Sequence, residues 1–111
     1  MLNNQHQCVF DGDGIALQHS LCSPLSVAVW SGNIFIADFG NQRVRKVVGQ
    51  TMTTLAGSTA GFAGDGGLAV SALFNRPVGI ATDSTGAVFV ADDYNNRVRR
   101  LTQYPVVKKV N

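Results

Sequence analysis

Charge is scarce in this sequence. Only 14% of its 111 residues are Asp, Glu, Lys or Arg, and the formal net charge is +2. So weak a field gives no case for nucleic acid or an anionic membrane as partner. Proline is also sparse, 3 residues against 12 glycines, a balance that suits short strands joined by tight turns. No apolar run approaches the ~18 residues that a bilayer crossing needs. The opening MLNNQHQCVF lacks the basic start and apolar stretch of a secretory signal. With 45% hydrophobic residues and few charges, the composition is that of a packed chain.

Beyond that composition, the chain says one thing twice. Residues 62–101, FAGDGGLAVSALFNRPVGIATDSTGAVFVADDYNNRVRRL, repeat the plan of residues 10–47, FDGDGIALQHSLCSPLSVAVWSGNIFIADFGNQRVRKV. Asp13 aligns with Asp65 at an offset of 52, Pro24 with Pro77 at 53, and Asp38 with Asp92 at 54. A period of this size marks an array of small supersecondary units. Residues 1–9 read as an irregular N-terminal segment, 10–57 as the first unit and 58–111 as the second.

Each unit reads as four short strands in an antiparallel meander. In the first, a loop over 10–23 carries the turn residues Gly12, Asp13 and Gly14. Pro24 opens a largely buried strand, where the missing donor costs nothing. After the turn Trp30-Ser31-Gly32-Asn33, the run Ile34–Ala37 is branched and aromatic. Further strands are expected at 43–48 and 51–55, and in the second unit at 77–82, 87–91, 96–102 and the final YPVVKKV, aligned at an offset of 54. A helical turn or two is expected in LAVSALF. The three-residue spacing of Val44 and Val47, and of Val98 and Leu101, breaks strand alternation. A bulge between Arg45 and Lys46 is the expected cause. Cys8 and Cys22 do not recur, Asn75 standing at the second position, so two free thiols are expected and the redox compartment stays open.

These residues resemble the NHL repeat family. The pattern is Gly-Asp-Gly (Gly12, Asp13; Gly64, Asp65), a Pro (Pro24; Pro77), a hydrophobic run ending in Ala-Asp (Asp38; Asp92), and Asn-x-Arg-Val-Arg-Lys/Arg (Asn41, Arg43; Asn95, Arg97). The first unit departs from it where Leu25-Ser26-Val27 replaces Val78-Gly79-Ile80 and Ile15 replaces Gly67. The resemblance implies an all-β fold: a β-propeller of four-stranded antiparallel blades, usually six, of which this chain supplies two. Physics points the same way, because a small sheet with two apolar faces needs a neighbour on each. Stranding about five apolar side chains per face, at roughly 1.5–3 kcal/mol each, forfeits on the order of 10 kcal/mol. Either further blades of a longer chain or three copies in a closed ring are therefore expected.

Candidate chemistry is thin. Asp38 and Asp92 are expected to cap turn amides and to pair with Arg43 and Arg97 five residues on, pinning each hairpin. A weaker candidate is a basic edge of Arg45, Lys46, Arg99 and Arg100, read mainly as a solvated edge because no aromatic residues interleave. Asp11-Gly12-Asp13-Gly14 lacks the carboxylate ladder of a calcium loop. His6 and His19 have no partner at ligand spacing. No catalytic residue, cofactor or metal site is assigned.

The reading is therefore a non-enzymatic interaction module. Its expected partners are copies of itself or further blades, with a protein ligand open, RNA disfavoured and no membrane. Two alternatives stand beside it. One is a fragment of a metal-dependent propeller lyase or hydrolase, against which the expected channel-facing residues Ser26, Thr82 and Asp83 offer no His cluster. The other is a structural or engineered assembly module.

Overall fold

The computed structural model describes residues 10–58, 61, 72–101 and 107–109, the last three by backbone alone. Strands β1 (Gly14–Ile15), β2 (Pro24–Trp30), β3 (Asn33–Asp38), β4 (Arg43–Val48) and β5 (Thr51–Gly57) form one antiparallel sheet in the order β1-β5-β4-β3-β2. Strands β6 (Pro77–Thr82), β7 (Val88–Asp92), β8 (Arg97–Leu101) and β9 (Val107–Lys109) form a second, in sequence order. Each sheet is the meander that the repeat demands. The two-residue β1, which has no strand signal of its own, adds an edge beside β5.

Local chemistry repeats along with the strands. Both prolines open a first strand and sit at a register shift, between Pro24 and Ser26 and between Pro77 and Gly79. That confines the missing donor to the irregular end of the ladder. Ser31 and Gly32, at φ 52 and φ 79, close the β2–β3 hairpin with two left-handed residues, matching the strand twist. Each β3-type strand ends in Asp and a 3-10 turn, Phe39–Asn41 or Asp93–Asn95, followed by a left-handed residue, Gln42 at φ 57 or Asn96 at φ 54.

Three expectations need correction. First, β4 runs in unbroken register with β3, from Ile34↔Val47 to Asp38↔Arg43. The shift lies between Val44 and Arg45 against β5, where Val44 pairs with Ala56 and Arg45 with Thr54, so Leu55 is the extra residue. Val44 and Val47 thus face opposite sides, as do Val98 and Leu101. Second, Leu101 pairs with Val107 and Arg99 with Lys109, where the first sheet pairs Val47 with Met52 and Arg45 with Thr54. The last strands therefore align at an offset of 55, one residue later than expected. Third, Cys22 is disulfide-bonded and buried. The chain's other cysteine, Cys8, lies outside the described residues, as do Gly64, Asp65 and most of the expected helical turn. Of that turn, Leu73 and Phe74 are extended.

The core lies between the sheets. Phe35, Val44 and Ala56 of the first meet Ala72, Phe74, Val88, Val90 and Leu101, with Trp30, Leu55 and Ile80 packed around them. The first sheet thus offers the face carrying Phe35, Ala37 and Val44, and the second offers the opposite face of its own repeat.

Candidate functional site

Among the described residues, each sheet encloses one buried carboxylate. Asp38 Oδ1 accepts the Cys22 amide at 2.7 Å, and its Oδ2 accepts Asn41 Nδ2 at 2.8 Å and Arg45 Nη1 at 3.3 Å. Asp92 does the same with the Asn75 amide at 2.7 Å, Asn95 Nδ2 at 2.7 Å and Arg99 Nη1 at 3.1 Å. Both aspartates and both arginines are fully buried. The pairing expected with Arg43 and Arg97 is thus made two residues later. Arg43 and Arg45 share a strand face, but Arg43 stacks on the Phe10 ring at 3.6 Å and donates to the Asn41 carbonyl. Burial, and then the charge of Arg45, lower the pKa of Arg43 from its ordinary value.

The basic edge does not form. Arg45 and Arg99 are interior, whereas Lys46 and Arg100 sit opposite Phe35 and Phe89, on the other face of their sheets. Adjacent residues of a strand point to opposite faces, so neither Arg45 and Lys46 nor Arg99 and Arg100 can share one.

The Gly-Asp-Gly loop serves the same interior. Arg45 Nη2 donates to the Gly12 carbonyl at 3.0 Å and to Asp13 Oδ1 at 2.8 Å, and Thr54 Oγ1 donates to that oxygen at 3.0 Å. Asp11 accepts the Ser20 amide, which lowers the pKa of its carboxyl from the ordinary value, opposed by desolvation and aided by His19. His19 is a half-buried loop residue whose Nδ1 lies 3.1 Å from the Asp11 carbonyl oxygen and 3.5 Å from its carboxylate. Among the described residues no group of three or more His, Cys, Asp or Glu side chains could hold a metal.

A second set of contacts joins the sheets and has no signal in the repeat. The Ile80 amide donates to Ser26 Oγ at 3.1 Å, Thr82 Oγ1 to the Val29 carbonyl at 3.1 Å, the Arg76 amide to Gln42 Oε1 at 2.7 Å, and Trp30 Nε1 to the Ser84 carbonyl at 3.3 Å. The Arg76 guanidinium lies 5.3 Å from the Phe39 ring and 4.2 Å from the Tyr94 ring. Trp30 covers Gly86, where a Cβ would come within 2.9 Å of three ring atoms. So Ser26 and Thr82, expected to face a channel, bind across the junction. Asp83 accepts Thr85 and Ala87 within its own turn.

Two faces remain open. On the first sheet Leu25, Val27 and Val29 are 56%, 61% and 60% exposed, with Ile34 beside them at 37%. Leu21, Pro24, Ser26 and Ile36 help to line a depression of about 410 Å³ there. On the second, Gly79, Ala81, Phe89, Ala91 and Val98 line a smaller one of about 200 Å³. The first is the repeat counterpart of the face that the second sheet buries, and the second is the counterpart of the face that the first buries.

Family comparison meets this geometry at the blades themselves. The NHL repeat model matches residues 21–47 and 74–101, each running from the residues before a first strand to the end of a third. The chain belongs to the NHL repeat family. A curated relative, the chloroplastic protein SUPPRESSOR OF QUENCHING 1 of Arabidopsis thaliana, is 34% identical over 95 residues. That match takes in 82% of this NHL chain and 9% of the relative. Among solved structures, an auxiliary nutrient binding protein from Bacteroides ovatus superposes with TM-score 0.70 at 25% identity, over 99% of this chain. A protein of unknown function from Bacteroides thetaiotaomicron gives 0.71 at 24% identity, over 89%. The chain spans 28% of each of those two. The two NHL repeats are adjacent blades of the β-propeller type, and the Asp-Asn-Arg cluster is what their signature builds.

Proposed function

We propose that this chain supplies two neighbouring blades of a non-catalytic propeller, a binding module completed by flanking blades. The observation that carries the reading is the pair of open apolar faces, each the repeat counterpart of a face buried within the chain. Leu25, Val27, Val29 and Ile34 are 37% to 61% exposed, so on average about half of their burial is unrealised. At roughly 1.5–3 kcal/mol per buried side chain, that is about 3–6 kcal/mol on one face. The value is smaller than the order of 10 expected from sequence, yet comparable with the net stability of a domain.

The flanking blades are copies of this chain or further blades of a longer parent. The 28% share of the Bacteroides structures favours the parent. A binding role is supported by the likeness to the auxiliary nutrient binding protein of Bacteroides ovatus. The non-catalytic reading is supported by the site chemistry, since Asp13, Asp38, Asp92, Arg45 and Arg99 are all engaged inside the blades.

Light scattering, urea unfolding and dye binding on the purified chain test this reading. Expected is either an assembly heavier than 11.8 kDa or a monomer that binds hydrophobic dye and melts broadly. A cooperatively melting, dye-free monomer would overturn the need for neighbours. Stoichiometric zinc or calcium in the purified protein would overturn the non-catalytic part.

A further inference from the structure

The contacts that join the two blades allow the neighbours to be described chemically, provided the reading of a blade pair needing flanking blades holds. In a ring of identical chains, the open face of the second blade would meet the open face of the first blade of the next copy. Every residue of the internal junction then has a counterpart one repeat away, and the counterparts can be compared.

Ser26, whose hydroxyl accepts the Ile80 amide, is replaced by Gly79, which has no side-chain acceptor. Thr82, which donates to the Val29 carbonyl, is replaced by Val29, which has no donor. Trp30 is replaced by Asp83, whose carboxylate is committed to Thr85 and Ala87. Arg76, stacked near Phe39, is replaced by Ser23, and Phe39 by Asp93. Only Gln42 with the Arg76 amide has a counterpart of the same kind, Asn96 with the Ser23 amide. Those four positions share left-handed backbone, at φ 57, 62, 54 and 53. Of these five contacts among the described residues, four are therefore absent between copies.

We infer that the open faces are matched to non-identical blades rather than to each other. The blade before this pair offers a hydroxyl or other acceptor at the position of Ser26. The blade after it offers a donor at the position of Thr82 and a cation at that of Arg76. The faces keep the apolar surface of a blade junction, but the polar contacts that fix register at the internal one need partners this chain lacks.

The test is self-association of the full chain, by sedimentation over a micromolar to millimolar range, against a variant that restores three junction residues, Gly79→Ser, Val29→Thr and Asp83→Trp. A Cβ at Gly79 meets only Ala91, at 3.5 Å, so Gly79→Ser alone carries the test if the triple variant does not fold. The expected result is that the native chain forms no discrete ring, whereas the triple variant sediments near three times 11.8 kDa. Gly79→Ser alone tightens self-association about fivefold to tenfold, as one restored hydrogen bond would. A native chain that is already a defined three-chain particle overturns the inference and leaves the blade-pair reading standing. No change in self-association on restoring the residues also overturns it. A native chain that is a cooperatively folded, dye-free monomer overturns the blade-pair reading, and the inference with it.

Discussion

Replacing Asp38 by Asn is the most direct probe of what the repeat signature does. The side chain keeps its shape but loses its charge and one acceptor. In the native blade two carboxylate oxygens meet three donors, the Cys22 amide, Asn41 Nδ2 and Arg45 Nη1. Whichever way the new amide is turned, its NH2 group faces a donor, so at least one hydrogen bond is lost in a fully buried site. Arg45 keeps Asp13 at 2.8 Å, a carboxylate that is 41% exposed and therefore a weaker counter-charge. Breaking a fully buried pair costs about 3–5 kcal/mol, and a hydrogen bond to a charged group contributes about 1.5–3. The residual Asp13 contact puts the expected loss at about 2–4 kcal/mol. Urea unfolding followed by the fluorescence of Trp30, the chain's one tryptophan, and by circular dichroism reads it. The partner change Arg45→Met should couple to it, so that the double variant is at least about 1 kcal/mol more stable than the sum of the singles predicts. A loss under about 1 kcal/mol, or strict additivity, would refute the claim that the pair acts as a unit.

Gly86→Ala should destabilise by about 1–3 kcal/mol and shift Trp30 emission, since φ is +86 and the new methyl meets the indole ring. Gly32→Ala, at φ +79 with nothing within 4 Å, should cost only about 1 kcal/mol of backbone strain and leave the emission unchanged; equal effects on emission would contradict the assigned contact. The Thr85 hydroxyl, opposed by desolvation and aided by the Ala87 and Thr85 amides, holds the Asp83 carboxyl below its ordinary 3.8. Its contribution is therefore complete above pH 3.8 and is lost as pH falls through the depressed value. Thr85→Val should move the titration of Asp83 upward in a carboxyl NMR experiment, and an unchanged midpoint would remove that cause.

The strand plan was legible because the anchors Pro24/Pro77 and Asp38/Asp92 recur and hairpin connections leave little freedom between them. The cluster was legible only in part. Asp38 and Arg43 are indeed cross-strand neighbours, but the backbone turns at Asp38, φ −87 and ψ 74. The carboxylate reaches Arg45 instead, two residues along the same face. Spacing gives the face of a strand and not the reach of a side chain at its end. The bulge was misplaced for a related reason: its extra residue, Leu55, sits on the neighbouring strand. The junction was not legible, because Trp30, Ser26 and Thr82 differ from their counterparts and so leave no trace in the self-similarity of the chain.

That contrast between repeated and unrepeated residues has a physical cause. Every blade must close its own Asp-Asn-Arg cluster whatever stands beside it, so the same residues recur and the contacts agree, 2.7, 2.8 and 3.3 Å against 2.7, 2.7 and 3.1 Å. A junction is read by one neighbour only. Its residues can therefore differ from those of the next junction, provided they stay complementary across it, as Trp30 is to Gly86 and Ser26 to the Ile80 amide. Apolar faces that look alike from blade to blade would otherwise pair in any order, because hydrophobic burial is non-directional. At this junction, divergent polar contacts can supply the missing discrimination: in the wrong pairing Val29 would bring no hydroxyl to the carbonyl that Thr82 presents.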